Sequence, residues 1–168
     1  MLLHATLLYD ILSKQELNSR NLLEKGIDPS EFVGKLIEGA KDGKQLPFRY
    51  YSAYRALQEA GMKHPVVADA IEQCMTLAIG NLPHFEGRVM SLCDNSGSAQ
   101  GATTSSLGSM QVSTIGNLTG ILTGMASDEG YVGIFGDKLS EMAVRKRSSI
   151  FDQLKEADRL AGSIGQVS

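Results

Sequence analysis

The hydrophobic periodicity of this chain changes at Pro83, and that change constrains the possible folds more than any other feature. Before Pro83, apolar residues recur at the spacing of amphipathic helices. After it, residues 88–93 form a short apolar run that is typical of a strand buried on both faces. The sequence therefore predicts a mixed fold with two domains. An α-helical repeat segment, HEAT-like in character, occupies residues 1–83, and a partial α/β doubly wound domain occupies residues 84–168.

Proline and glycine mark the limits of the predicted helices in the first domain. Asp28-Pro29-Ser30-Glu31 combines a capping aspartate, a proline at the first helical position and a glutamate at the third. That helix is predicted to end near Asp42, and two more are predicted over 47–61 and 65–80. Two short helices are expected before residue 26. Successive amphipathic helices joined by short turns favour stacked helical hairpins.

The second domain is predicted to follow the order strand, helix, strand, strand, helix. The strands are placed at 88–93, 131–135 and 139–144, with the first two buried, and the helices at 110–126 and 148–160. This order is typical of a doubly wound sheet. Because so few strands leave both sheet edges uncovered, we expect the domain to be cut short in this chain and the isolated chain to be poorly soluble.

Directly after the first predicted strand, Asp94, Ser96 and Ser98 stand at alternate positions of a turn that Gly97 allows to bend tightly. One carboxylate and two hydroxyls are ligands that a hard cation accepts, and the chemistry favours Mg²⁺. The alternative is a polar turn that caps the next helix, followed by a loop over 99–109. Asp137, after the second strand, is interpreted as a turn residue, although it could share the same rim of the sheet.

Composition excludes several classes of function. The net charge is −3 and neither half of the 168 residues is basic, so bulk charge gives no indication of nucleic-acid binding. Cys74 and Cys93 lie in apolar runs, which predicts free thiols and a cytoplasmic location. We read no signal peptide and no membrane span. No catalytic triad, phosphate-binding loop or paired-carboxylate site is visible, so the chain is not predicted to be an enzyme.

One cluster mixes aromatic and basic residues that could stack bases and hold phosphates. It consists of Arg49, Tyr50, Tyr51, Tyr54 and Arg55. At helical spacing, tyrosines are more often core residues, and that interpretation is preferred here. The basic run Arg145-Lys146-Arg147 is interpreted as a solvated surface that could also meet an anion.

Glycines recur at every fourth position of the predicted helix over 110–126, at Gly116, Gly120 and Gly124. The flanking residues are too polar for a membrane span, so the pattern predicts a helix that packs closely against the sheet. The histidines His4, His64 and His84 lack the mutual spacing of metal ligands.

Three segments of the chain resemble the Ro autoantigen proteins. They are the run from Leu46 to Leu57, the strand from Gly87-Arg88 into Asp94-Asn95-Ser96-Gly97-Ser98, and Asp128–Asp137. Ro proteins pair a TROVE module of helical repeats with a von Willebrand factor A domain. The resemblance covers most of the chain from about Leu46, and it implies that this chain spans the end of the repeats and the beginning of the A domain.

The resemblance implies an RNA-binding ribonucleoprotein component. Its partners would be small non-coding (Y-like) RNA and misfolded RNA, and its A domain would carry a metal-ion-dependent adhesion site. Asp94, Ser96 and Ser98 match that site, whereas the threonine and second aspartate of later loops have no recognisable counterpart here. The alternative is a metal-dependent protein-interaction module that grips a partner's carboxylate and binds no RNA. The oligomeric state and the residues that contact RNA are left open.

Overall fold

The computed structural model describes residues 29–59, 61, 64–101 and 110–164. The predicted short helices before residue 26, and His4 with them, lie outside these residues. The chain divides into two compact units, with the boundary between Asn81 and Leu82. Within the described residues, no helix is both long and apolar enough to cross a membrane.

The described part of the first unit contains three helices: α1 (Pro29–Asp42), α2 (Pro47–Glu59) and α3 (Pro65–Ile79). Each begins on a proline, whose fixed φ suits the first helical turn and whose missing N–H costs nothing there. Both α1 and α2 pack against α3. The buried face of α3 consists of Val67, Ala70, Ile71, Cys74, Met75 and Ala78.

Asn81 ties the helical unit together at one end. Its side-chain amide donates to the backbone carbonyls of Gly43 (3.2 Å) and Gln45 (3.0 Å). Those carbonyls belong to the joint between α1 and α2, whereas Asn81 follows α3. These two bonds link the joint between α1 and α2 to the end of α3.

Over the residues that the structure describes, the second unit is a three-stranded mixed sheet with helices. Its elements in chain order are β1 (Phe85–Asp94), α4 (Gly97–Gly101), α5 (Val112–Met125), β2 (Ser127–Phe135), β3 (Leu139–Ala143) and α6 (Ile150–Ala161). The strand order is β1-β2-β3. Strands β1 and β2 are parallel, and β3 is antiparallel to β2. The five-element order predicted from the sequence is therefore observed, with α4 as an addition.

Helix α5 covers one face of the sheet, and α6 packs against α5, β2 and β3. The core of the unit lies on this side and includes Leu118, Ile121, Leu122, Val132, Ile134 and Ile150. The opposite side, which we call the open face, carries the exposed side chains Met90, Leu92 and Leu139. Since helices cover only one face in the described part of the chain, a doubly wound arrangement stays a prediction.

The prediction that β1 is buried on both faces is wrong. Of its ten residues only Cys93 is buried, and Leu92 is 64% exposed. An apolar run shows that a strand can be buried on both faces. Burial of both faces also requires a layer on each side of the sheet, and the described residues supply a layer on one side only. The predicted loop over 99–109 is also wrong at its start, because Ala99 and Gln100 lie in α4, while 102–109 fall outside the described residues.

Close packing of α5 on the sheet is confirmed at two of its three glycines. A Cβ at Gly120 would stand 2.9 Å from Cys93 Sγ and 3.2 Å from Ser91 Cβ. At Gly124 it would stand 2.6 Å from a methyl group of Val144, and Gly130 in turn lies against the Gly124 backbone. Gly116 has no atom within 4 Å of such a Cβ. The helix therefore leaves no room for a side chain at its middle and end, whereas at Gly116 it contacts the sheet through its backbone carbonyl, which accepts from Cys93 Sγ (3.2 Å).

Candidate metal centre

The candidate site is the turn that joins β1 to α4. Strand β1 ends at Asp94, α4 begins at Gly97, and Asn95 and Ser96 connect them. Burial alternates along this turn, since Asp94 and Ser98 are exposed whereas Asn95 is buried. Asp94 and Asn95 continue the extended chain of β1, in which successive side chains point to opposite sides, whereas Ser98 lies in the first turn of α4.

The structure brings the three predicted metal ligands together. One carboxylate oxygen of Asp94, Oδ1, accepts a hydrogen bond of 2.9 Å from the backbone N–H of Ser96. The hydroxyl oxygens of Ser96 and Ser98 lie 3.1 Å apart, within hydrogen-bonding distance. The carboxylate and the two hydroxyls thus form one continuous polar group at the surface.

The turn also holds the carboxylate in its charged form. The backbone N–H of Ser96, and then its side chain, lower the pKa of Asp94 below its ordinary value. A hydrogen bond to an ionised carboxylate favours the charged form, which is the form that binds a cation. Asp94 is therefore ionised at neutral pH before any cation arrives.

Asn95 anchors the turn, and reasoning from the sequence gave it no positioning role. Its side-chain nitrogen donates to the Cys93 carbonyl (3.1 Å) and to Asn117 Oδ1 (2.8 Å), and the Asn117 amide donates back (2.9 Å). Its backbone N–H donates to the Phe135 carbonyl (2.8 Å), and its own carbonyl accepts from the Gln100 side chain (2.9 Å). The turn is thereby fixed to α5, β2 and α4 together. No local signal in the sequence indicated this role, because Asn117 lies 22 residues away and is one of several polar residues of α5.

The donor set fits part of the coordination shell of a hard divalent cation. A carboxylate has about four lone-pair positions, so the bond from Ser96 leaves capacity for a cation. Water would complete the shell, as Mg²⁺ usually requires. Within the described residues, no group of three or more His, Cys, Asp or Glu side chains gathers at one place. A cation held here would thus be held by one carboxylate.

The other acidic candidate is Asp137, for which no hydrogen bond to the Asp94 turn is seen among the described residues. Asp137 lies exposed in the bend between β2 and β3, where the N–H of Gly136 donates to the Lys138 carbonyl (3.0 Å). Its position agrees with the interpretation of Asp137 as a turn residue.

Two of the aromatic residues proposed for RNA contact are core residues. Tyr50 and Tyr51 are 7% and 5% exposed, and burial raises the pKa of Tyr50 to about 12. The ring centroids of Tyr51 and Tyr54 are 6.1 Å apart, a spacing typical of packed aromatic pairs. On the same helix, Arg55 forms an ion pair with Glu59 at 3.4 Å. Stacking of bases on Tyr50 or Tyr51 would require opening the helical core.

The basic run at the start of α6 is partly engaged in structure. A guanidinium nitrogen of Arg145 lies 2.6 Å from Glu156 Oε2. The Gln153 side chain binds both the backbone N–H (2.8 Å) and the carbonyl (3.0 Å) of Arg145. Lys146 and Arg147 are exposed. This segment is therefore mainly the solvated surface that the sequence predicted.

Comparison with known proteins gives one informative result. No protein-family model matches the chain. No curated protein matches it either. Its structure is similar to the crystal structure of the Ro (RSR) protein of Deinococcus radiodurans, with a TM-score of 0.58 and 18% sequence identity. The match covers 76% of this chain and 28% of that protein.

This similarity confirms the resemblance to Ro proteins at the level of the fold. A mixed helical and three-stranded arrangement is shared over most of this chain. The chain spans little more than a quarter of the length of the Ro protein that it matches. What the whole protein binds is therefore a matter for proposal.

Proposed function

We propose that this chain is part of an RNA-binding protein of the Ro type, and that its Asp94 turn holds a divalent cation, Mg²⁺ by preference. The observation that carries the proposal is the fold shared with a Ro protein over 76% of the chain. In this proposal α1 to α3 are the end of a set of TROVE, HEAT-like repeats. The sheet unit is the beginning of a von Willebrand factor A-like domain.

The arrangement of elements supports both assignments. Two helices that pack on a third through short joints agree with stacked helical hairpins. Two parallel strands joined through α5 form the crossover unit from which larger α/β sheets grow. In such sheets ligands bind beyond the carboxyl ends of the strands, which is where Asp94 lies.

The RNA ligand follows from the resemblance, which implies small non-coding (Y-like) RNA and misfolded RNA with a single-stranded end. Binding is tested by fluorescence anisotropy with a structured RNA that carries such an end, over a range of salt concentrations. We expect the association constant to fall linearly with salt on logarithmic axes, because each phosphate contact releases counterions. An RNA hairpin without the single-stranded end is the matched control. Absence of binding by both this chain and the full-length protein contradicts the RNA assignment.

The metal assignment is tested separately, by isothermal titration of Mg²⁺ and Mn²⁺ into the chain. Asp94→Ala removes the only carboxylate of the turn and should abolish binding. Asp137→Ala is the matched control, since it removes an exposed carboxylate from the bend after β2 and should leave binding unchanged. Equal affinities of the wild type and Asp94→Ala contradict the site. Loss of binding in Asp137→Ala also contradicts it as assigned here.

A second candidate function is a metal-dependent protein-interaction module without RNA binding. It is favoured by the exposure of Asp94 and Ser98, which leaves a cation at this turn accessible to a partner's carboxylate. Capture of a protein that is released by chelator, from a chain that binds no RNA at any salt concentration, supports this candidate over the first. RNA binding that survives chelation excludes it.

A further inference from the structure

The chain turns sharply between β3 and α6, and this turn carries two adjacent cationic side chains. The N–H of Ser148 donates to the Arg145 carbonyl (3.2 Å) and closes a β-turn over residues 145–148. Lys146 and Arg147 occupy its two central positions, and both are exposed. We call these two residues the cationic turn. The commonest β-turns accept most residues at these positions, so formation of the turn alone does not require the pair.

A buried glutamine of α6 holds this turn in place. Gln153 is fully buried. Its side-chain oxygen accepts from the Arg145 N–H (2.8 Å), and its nitrogen donates to the carbonyls of Arg145 (3.0 Å) and Ser148 (3.4 Å). Both ends of the turn are thus bonded to the core of the unit. A backbone fixed in this way loses little further freedom when a ligand binds to the side chains that it carries.

The cationic turn is not neutralised by the acidic residues of α6. A guanidinium nitrogen of Arg145 lies 2.6 Å from Glu156 Oε2, so the pairing of Glu156 is with the residue just before the turn. Among the described residues, no ion pair is seen for Lys146 or Arg147. Two positive charges therefore face solvent without a partner from the described part of the chain.

Asp128 lies near enough to Lys146 to be influenced by it, but its hydrogen bonds go to other groups. It accepts from the Gly87 N–H (2.6 Å) and contacts Nε2 of His84 (2.9 Å). The Gly87 bond and then the His84 side chain lower the pKa of Asp128 most, and Lys146 lowers it least. The Lys146 ammonium is therefore left available for another anion.

The first turn of α6, which follows the cationic turn, is satisfied within the chain. Ser149 Oγ accepts from the Asp152 N–H (3.1 Å), and the Asp152 carboxylate lies 2.9 Å from Lys155 Nζ. A ligand at this place would thus be held by the side chains of Lys146 and Arg147 and not by the end of the helix.

We propose that Lys146 and Arg147 bind backbone phosphates of an RNA strand. This inference rests on the proposed function, which makes RNA the polyanion that the chain meets. An ammonium group offers three donors and a guanidinium group offers five, and both are common partners of phosphate oxygens. Phosphate contacts position a strand without reading its sequence, so the cationic turn should bind RNAs of different sequence equally.

The test is fluorescence anisotropy of the full chain with the structured RNA that carries a single-stranded end, over a range of salt concentrations. Chelator is present, so that cation binding at Asp94 is excluded. Lys146→Gln with Arg147→Gln removes both charges and should weaken binding about tenfold or more at low salt. The logarithmic dependence on salt should become shallower by about 1.4, because each phosphate contact of a single strand contributes about 0.7. A purely structural role for the two residues would leave that slope unchanged.

Two other double variants are matched controls. Lys146→Arg with Arg147→Lys keeps both charges and should keep the slope. Lys138→Gln with Lys155→Gln removes two exposed cations from other places in the same unit, one in the bend between β2 and β3 and one in α6. It should also keep the slope. If this second control loses as much affinity as the neutralised cationic turn, only net charge matters and the inference is overturned.

The outcomes separate this inference from the proposed function. If the wild-type chain binds RNA and the neutralised cationic turn keeps the same affinity and slope, the inference alone is overturned. Absence of RNA binding by the wild-type chain also overturns it, but the proposed function falls only when the full-length protein fails to bind as well. If polyglutamate displaces the RNA as efficiently as unlabelled RNA of equal charge does, the turn fits an acidic protein partner and phosphate binding is overturned.

Discussion

The side-chain amides of Asn95 and Asn117 exchange two hydrogen bonds, of 2.8 and 2.9 Å, in the core of the sheet unit. Both residues are almost fully buried. An amide paired in both directions satisfies most of its donors and acceptors, whereas an unpaired one in the same place would be costly. Because Asn95 lies between Asp94 and Ser96, this pair connects the packing of α5 to the position of the candidate metal ligands.

Removing the first of the two asparagines should lower the free energy of unfolding more than then removing the second. Asn117→Ala is expected to lower the free energy of unfolding by about 1–3 kcal/mol, since it leaves the Asn95 amide buried without that partner. In the Asn117→Ala background, Asn95→Ala should lower the free energy of unfolding clearly less than it does in the wild type. A double-mutant cycle by urea denaturation measures this coupling. Strict additivity of the two changes would show that the pair does not act as a unit.

The same pair predicts an effect on the candidate site. In Asn117→Ala the carboxylate and hydroxyls are all still present, but the turn that orients them has lost one anchor. We expect weaker Mg²⁺ binding without its abolition, in contrast to Asp94→Ala. Titration calorimetry at a temperature at which the variant is folded measures the difference. Unchanged affinity in Asn117→Ala would show that the turn is held by its other hydrogen bonds alone.

Local signals in the sequence predicted most of the helices. Pro29, Pro47 and Pro65 mark the beginnings of α1 to α3 because proline is excluded from most other helical positions. The exposure of Leu92 could not be predicted, because an apolar run does not show whether a second layer covers the strand. The pairing of Asn95 with Asn117 was equally hidden, because the partners are far apart in sequence and each alone resembles a turn or surface residue.

Of the candidate site, the run of polar residues after β1 was sufficient to predict that Asp94, Ser96 and Ser98 lie near one another. The local rule of alternation covers only the extended part of the turn, because Ser98 already lies in α4. What the alternation could not reveal is what holds the turn in place. The carbonyl of Phe135 and the side chain of Gln100 reach Asn95 from β2 and α4, and only the completed fold brings them there.

Both cysteines should resist modification in the folded chain. Burial raises the pKa of Cys74 to about 12, and it also raises the pKa of Cys93. The thiolate is the reactive form, so little of it exists at pH 8 in either place. We expect an aromatic disulfide reagent to react with neither thiol in native buffer and with both after denaturation. A thiol that reacts rapidly in the native chain would contradict the burial of that residue.

The contacts of Asp128 predict that the stability of the folded chain depends on pH. Its carboxylate accepts a bond of 2.6 Å from the Gly87 N–H and contacts Nε2 of His84 at 2.9 Å. These two partners, Gly87 first, lower the pKa of Asp128 below its ordinary value. A carboxyl group with a lowered pKa contributes stability that is present above its ordinary pKa and is lost as the pH falls through the lowered value. Asp128→Asn should therefore lower the melting temperature at neutral pH, and the difference from wild type should shrink in acid. A difference in melting temperature that stays constant from neutral pH into acid would contradict the assignment of this stability to the Asp128 carboxylate.

Two glycines of α5 should respond to alanine in opposite directions. Gly120→Ala introduces a methyl group 2.9 Å from Cys93 Sγ and 3.3 Å from a methyl of Val132. Overpacking of this kind is expected to destabilise the sheet unit by about 1–3 kcal/mol. Gly116→Ala is the matched control in the same helix, where nothing lies within 4 Å of the added atom. It should stabilise the helix by about 0.5–1 kcal/mol, because alanine loses less backbone entropy than glycine on folding. Urea denaturation of both variants measures the contrast, and equal effects would mean that α5 does not approach the sheet more closely at Gly120 than at Gly116.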